Sequence, residues 1–227
     1  MRRVSAGTVV LAIGITIVTA MVLTLVVGVL FQPALPTFAP TEPRPAEVGT
    51  ALVGPDTYTV DARDPARWVA FDFSRGSVVE IAGFSSRDWD LAFQRFRIRT
   101  NGGATHPAAR GAAADLGRRS FESVVTVPDS GWVEDARVSG TEVRNGALER
   151  WYEYSWMSHR LKPNGHVYAV RTADGKYAKI EILSYYCVDG SPGCLTFRYV
   201  YAGDGGRRVA APASPERSST APTARSR

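Results

Sequence analysis

The sequence predicts an all-β domain, antiparallel and sandwich-like, preceded by one N-terminal transmembrane helix. Three observations carry this. Residues 4–31 run through 28 positions without a charged side chain. Residues 50–205 hold nearly all the aromatics, in short β-branched and aromatic segments separated by turn signals, and no long 3.6-periodic helix competes with them. Near the end of that region an apolar/polar alternation of period two marks a half-buried strand. A chain of 227 residues, 44% hydrophobic and 22% charged, has room for one ordinary domain with extensions.

The apolar run exceeds the roughly 20 residues a helix needs to cross a bilayer. It is also longer than the apolar region of a cleaved signal peptide, about 7 to 15 residues. The nearest small-residue cleavage pattern, Thr37-Phe-Ala39, is followed by Pro40. The expected segment is therefore an uncleaved anchor. Arg2 and Arg3 precede it and the far side offers no Lys or Arg until Arg44, so residues 1–3 are expected in the cytoplasm and the domain outside, as a single-pass protein. Gly7, Gly14 and Gly28 do not form a GxxxG face, which leaves tethering as the helix's role.

Residues 32–49 contain Pro33, Pro36, Pro40, Pro43 and Pro45 and read as an extended Pro-rich linker. The domain follows over residues 50–205. Strand signals lie at residues 67–73, 89–96, 151–156 and 166–171, and residues 115–124 have room for one short helix. All three Asn of the chain, Asn101, Asn145 and Asn164, precede a Gly, a strong tight-turn signal. Residues 167–171, a turn at Asp174-Gly175 and residues 176–187 read as a hairpin. In its second strand Ala178, Ile180 and Ile182 alternate with Lys179 and Glu181, predicted to face solvent. A further turn leads into residues 195–201 and makes three consecutive antiparallel strands. Cys187 and Cys194 flank that turn, and outside the cytoplasm the expected state is a disulfide; the alternative is two reduced thiols.

The formal charge of +5 does not belong to the domain. Arg2, Arg3 and the five Arg of residues 204–227 account for it, leaving residues 4–203 with 20 basic and 20 acidic side chains. That balance argues against nucleic-acid binding. Residues 206–227, rich in Arg, Ala, Pro and Ser, are expected to be a disordered tail because they lack the apolar surface that would offset ordering entropy.

Catalysis is not expected. The sequence has no Gly-x-Ser-x-Gly elbow, no His-Glu-x-x-His, no phosphate-binding loop and no dinucleotide fingerprint. Asp88 and Asp90 are spaced to share a strand face, and their neighbours Arg87 and Arg95 make them expected ion-pair partners, not a catalytic pair. Two Cys make no zinc site, and no metal other than haem iron is expected. The three His are more informative. His106 sits in a loop-like stretch where solvation is the default, and His166 follows Asn164-Gly165 as an expected exposed turn residue. His159 follows the aromatic cluster Trp151-Tyr-Glu-Tyr-Ser-Trp-Met-Ser158, which offers flat apolar walls with Met157 in reach, as an axial haem ligand would need.

Two blocks carry a family resemblance. Asp88-Trp-Asp-Leu-Ala-Phe-Gln-Arg-Phe-Arg-Ile-Arg-Thr-Asn-Gly-Gly103 resembles the signature of the HmuY family. Residues 151–201 resemble that family's C-terminal half, matching at Tyr154, His159, Pro163, Tyr168, residues 171–177, Lys179, residues 182–186 and residues 197–201. The likeness extends over about residues 50–203. It implies a sandwich-like extracytoplasmic fold and, for the best-known members, haem scavenging at the bacterial surface with two axial side chains on the iron. His159 falls on a position similar to a family ligand. Residues 121–132, where a second ligand would be sought, contain no His or Met, so Met157 and His166 are the remaining partners for a haem cofactor. The familiar members are lipoproteins, whereas this chain has a spanning segment and no Cys before Cys187. The alternative is a non-catalytic cell-envelope interaction or scaffold domain that keeps the fold without haem ligation; its protein partners are unknown.

Overall fold

The structure is a computed structural model and describes residues 5–30, 34–47 and 49–210. The expected cytoplasmic stub of residues 1–3, the flanks of the apolar run at Val4 and Phe31, and tail residues 211–227 lie outside them.

One helix, α1 (Ala6–Leu30), stands apart from the β domain for almost all its length. Over Val9–Gly28 its mean hydropathy is 2.7, and it is long and apolar enough to cross a membrane. Its hydroxyls close on the helix: Thr16 and Thr24 donate to the carbonyls of Ala12 and Ala20 at 2.9 and 2.8 Å, the local solution for a hydroxyl in an apolar setting.

Among the described residues everything else is strand, turn and loop. In chain order the strands are β1 (Thr37–Phe38), β2 (Leu52–Asp61), β3 (Val69–Asp72), β4 (Ser77–Val79), β5 (Leu91–Gln94), β6 (Arg97–Thr100), β7 (Ala112–Arg118), β8 (Asp135–Ser139), β9 (Glu142–Asn145), β10 (Tyr152–Ser155), β11 (Arg160–Pro163), β12 (His166–Arg171), β13 (Tyr177–Cys187) and β14 (Pro192–Ala202). The larger sheet runs β2-β14-β13-β12-β7, with β1 added in parallel to the far end of β13. The smaller sheet runs β4-β3-β5-β6, and β8–β9 and β10–β11 are separate hairpins. The three consecutive strands expected near the C-terminus are β12, β13 and β14.

The period-two pattern explains how the sheets stack. From β14, Leu195, Phe197, Tyr199 and Tyr201 enter the main core, where they meet Phe71, Leu91 and Phe93 of the smaller sheet. Phe71 lies 5.0 to 5.7 Å from the rings of Tyr58, Phe73, Phe197 and Tyr199, mostly edge to face, the geometry aromatic quadrupoles favour. The alternate residues Val200 and Ala202 enter a second core with Phe121, Val124, Val127, Val167, Ala169 and Val209. Both faces of the larger sheet are therefore covered.

That second cover corrects several expectations. Lys179 does not face solvent: it is buried, its ammonium donating to the Phe121 and Val124 carbonyls at 2.7 Å each and lying over the Phe121 ring. Burial holds its pKa below the usual lysine value. Residues 115–124 form no helix. Residues up to Arg118 are drawn into β7 by pairing with β12, Asp115 opposite Tyr168 and Ala114 opposite Ala169, and residues 121–123 make a turn. The ordered body also runs past residue 205, because Val209 is buried and its N–H donates to the Val125 carbonyl.

The Pro-rich segment is laced to the domain instead of spanning free space. Thr37 and Phe38 pair with Tyr186 and Cys187. The N–H groups of Thr41, Ala46 and Gly49 donate to the carbonyls of Thr59, Arg75 and Ser74. Proline removes donors only at its own positions, and the residues between make the bonds.

Cys187 and Cys194 are joined in a disulfide across the β13–β14 turn. Because the loop is short, reduction is expected to cost no more than about 3 kcal/mol and to loosen this hairpin without unfolding the domain. Urea midpoints with and without reductant check this; global unfolding on reduction would contradict it.

Candidate functional site

Hairpin β10–β11 projects from the body with Tyr152 opposite Pro163 at its base and Ser155 opposite Arg160 at its tip. It is held at its base and along β11. Trp151 donates its indole N–H to the Phe96 carbonyl at 2.8 Å, the Leu161 N–H donates to the Tyr186 hydroxyl at 2.9 Å, and the Arg160 guanidinium stacks 4.5 Å over the Tyr186 ring. The tip, residues 156–159, ends at His159 with φ of 53°, a left-handed conformation uncommon for a residue with a side chain.

The tip carries the residues singled out in the sequence. Tyr154 Oη and His159 Nδ1 are hydrogen-bonded at 2.5 Å. Either atom can be the donor; when Nδ1–H donates to the phenol, the neutral imidazole presents its lone pair at Nε2, the tautomer suited to binding a metal. Beside them Trp156 is 70% exposed and Tyr154 55% exposed, a large aromatic surface that contributes little to the core. Met157 shares the turn, but its sulfur lies against α1: a Cβ added at Gly28 would sit 2.3 Å from Met157 Sδ.

His166 opens β12 at the other end of the hairpin. Its Nδ1 is 2.9 and 3.0 Å from the two oxygens of Asp115, which fixes the orientation of the ring. It is half-buried and paired, not the exposed turn residue expected. The four-residue strand β11 and the turn after it stand between His159 and His166. The structure thus brings His159 and Met157 into one turn and leaves His166 across the hairpin's length. Among the described residues no group of three or more His, Cys, Asp or Glu is placed to hold a metal ion.

Two cavities lie elsewhere. A groove of about 820 Å³ runs between residues 40–45 and the outer face of the smaller sheet, over Trp68, Val79 and Ile81. A pocket of about 220 Å³ lies between Phe96, Val143 and Tyr152. Neither is lined by a His, Met or Cys. The groove was hidden from sequence reasoning because one wall is the segment expected to be a linker.

The family signature at residues 88–103 is structural. Asp90 is buried and accepts the N–H groups of Phe73 and Ala173 at 3.0 and 2.9 Å, while exposed Asp88 bonds Ser86; neither is the ion-pair partner expected. Burial, helped by the nearby Asp72 charge, pushes the Asp90 carboxyl up to about 7. Asn101 is fully buried, donating to the Ser86 and Trp89 carbonyls, and its Oδ1 bonds His106 Nδ1 at 2.9 Å. His106 is accordingly part of this network, not a solvated loop residue.

Two sheets with an anchored β-hairpin, a buried Asp-Asn signature and an N-terminal apolar helix define an all-β domain of the HmuY type. The HmuY protein family model matches residues 64–199, and the chain belongs to the HmuY family. The fold is shared with the apo HmuY analog of Tannerella forsythia (19% identity, TM-score 0.56, covering 68% of this chain and 98% of that one). It is also shared with a Bacteroides vulgatus protein provisionally named a HmuY-like heme binding protein (23%, 0.52, 70% and 97%). A third match is a Bacteroides fragilis protein provisionally named a lipoprotein (20%, 0.53, 70% and 93%). No curated protein sequence matches the chain.

Proposed function

We propose that this protein is a membrane-anchored, extracytoplasmic HmuY-family domain that binds haem, with His159 as the residue that would hold the iron. The observation that carries the reading is the hairpin tip: an exposed imidazole whose Nδ1 is engaged by Tyr154, beside the exposed ring of Trp156. Family membership and the heme-binding name of the Bacteroides vulgatus neighbour support it. Bound haem would supply an iron that takes one or two axial donors. The protein's part is to hold the His159 ring in place through Tyr154 and offer an aromatic surface to the macrocycle. Of the two remaining donors Met157 is the nearer, sharing the turn with His159 although its sulfur packs on Gly28, whereas His166 is bonded to Asp115 across the length of the hairpin. The anchor is the apolar segment at residues 4–31, with the N-terminus cytoplasmic.

Titration of the full chain in detergent with haemin is expected to give a saturable Soret shift that His159→Ala abolishes. M157L is expected to change the coordination signature with a smaller loss of affinity, and H166A to leave it intact. A haemin spectrum unchanged by the protein would refute the reading. The groove over Trp68 favours a second one, a non-catalytic cell-envelope interaction or scaffold domain, because it is concave and free of iron ligands. Unaltered haemin spectra would support that alternative.

A further inference from the structure

Three observations outside the haem reading converge on the tip of β10–β11. The tether is short: Leu35 already packs against the main core and Thr37 pairs with Tyr186, so the domain begins within five residues of the end of α1 at Leu30. Five residues span at most about 18 Å. The hairpin is rooted at the same place, since Leu161 and Arg160 both hold Tyr186. Its tip reaches the helix itself, Met157 lying against Gly28, the last residue of the apolar window Val9–Gly28.

We infer that the β10–β11 tip is a membrane-docking element, with Trp156, Met157 and Tyr154 seated in the headgroup layer of the leaflet from which α1 emerges. This rests on the proposal that α1 spans a membrane. Gly28 is three residues before the end of the apolar run at Phe31, so Met157 lies within one helical turn of that end, near the hydrocarbon edge. Trp and Tyr are the residues that favour this layer, apolar body inward and polar edge toward water. Trp156 at 70% exposure and Tyr154 at 55% have such surface to bury. The charge pattern agrees: residues 154–164 contain Arg160 and Lys162 and no carboxylate, so nothing in the hairpin tip repels anionic headgroups. The consequence is a domain held at a fixed orientation, with His159 at the membrane surface instead of free in solution.

The test uses the full chain reconstituted into phosphatidylcholine–phosphatidylglycerol vesicles carrying acyl chains brominated close to the headgroup, read by flotation and by Trp emission. The wild type is expected to float with the vesicles and to show bromine quenching that is largely lost in W156F. W156F removes the exposed indole and leaves the other four Trp of the domain in place. Flotation with equal quenching of wild type and W156F would overturn the docking inference and leave the anchor standing. Failure to float would overturn the anchor and the docking together.

Discussion

Gly111→Ala is expected to cost about 3 kcal/mol or more, enough to unfold a domain of ordinary marginal stability or bring it close. The cause is space. A Cβ at Gly111 would lie 2.3 Å from the Asn101 carbonyl oxygen and 2.4 Å from its carbon, and one at Gly102 would lie 2.0 Å from the Gly111 oxygen. Both obstacles are backbone and neither can retreat. Gly111 donates to the Asn101 carbonyl at 2.8 Å, Asn101 donates to the Asp90 carbonyl at 3.0 Å, and the Asn101 side chain is tied to Ser86, Trp89 and His106. Gly102 and Gly111 are where two backbone segments cross in contact, and the buried Asn locks the crossing. Gly146→Ala is the matched control, because its added Cβ meets only Val133 Cγ1 at 3.7 Å, ordinary contact distance. Urea unfolding followed by Trp fluorescence should place G146A close to wild type and G111A far below it. Equal midpoints for the two variants would show that the crossing can relax.

What could be read in the sequence follows a physical division between local and distant pairing. The β12–β13–β14 run was legible because each strand pairs with its chain neighbour, so turn residues and alternation suffice. The second face of that sheet was not, because its cover comes from residues 121–127 and 209, and only their arrival buries Lys179. Pairing of β2 with β14 joins Thr59 to Thr196, far apart in the chain and equally invisible locally. The Asn-Gly pairs misled in an instructive way. Of the three following glycines only Gly165 has positive φ, and all three Asn are buried with their amides bonded. The pairs mark buried polar anchors more than tight turns. At the candidate site, scarcity picked out His159, Met157 and His166, and the resemblance added Tyr154. What each touches required the fold: Tyr154 closing on His159, Asp115 on His166, and Gly28 on Met157.

Stability of the wild-type domain is expected to fall as the pH rises from about 5 to about 7, and Asp90 is the reason. Its carboxyl ionises at about 7 in the fold, against a usual value of 3.8, because burial and the Asp72 charge oppose ionisation more than its two backbone N–H bonds favour it. Between those two values the folded state holds a proton that the unfolded state has lost. The stability tied to that proton is complete below the lower value and disappears as pH climbs through the upper one. The opposing carboxylates act elsewhere on the scale. Asp61, Asp174 and Asp189 are held below their usual value by bonds to Arg63, to Thr172 and Lys176, and to Ser191, so their contribution is lost only in more acidic solution. Asp90→Asn removes this titration, and its stability should fall less steeply across this window than that of the wild type. It also carries a constant loss of about 1 to 3 kcal/mol, because the N–H groups of Phe73 and Ala173 bond different carboxyl oxygens and an amide can accept only one of them. Asp90→Ala strands both donors and should cost more, about 3 kcal/mol or above, since these bonds tie the smaller sheet's Phe73 to the β12–β13 turn at Ala173. Thermal midpoints of wild type, D90N and D90A across that pH window separate the two effects. A wild-type profile that is flat or rises with pH would mean that Asp90 is charged in the fold and held by its N–H donors alone.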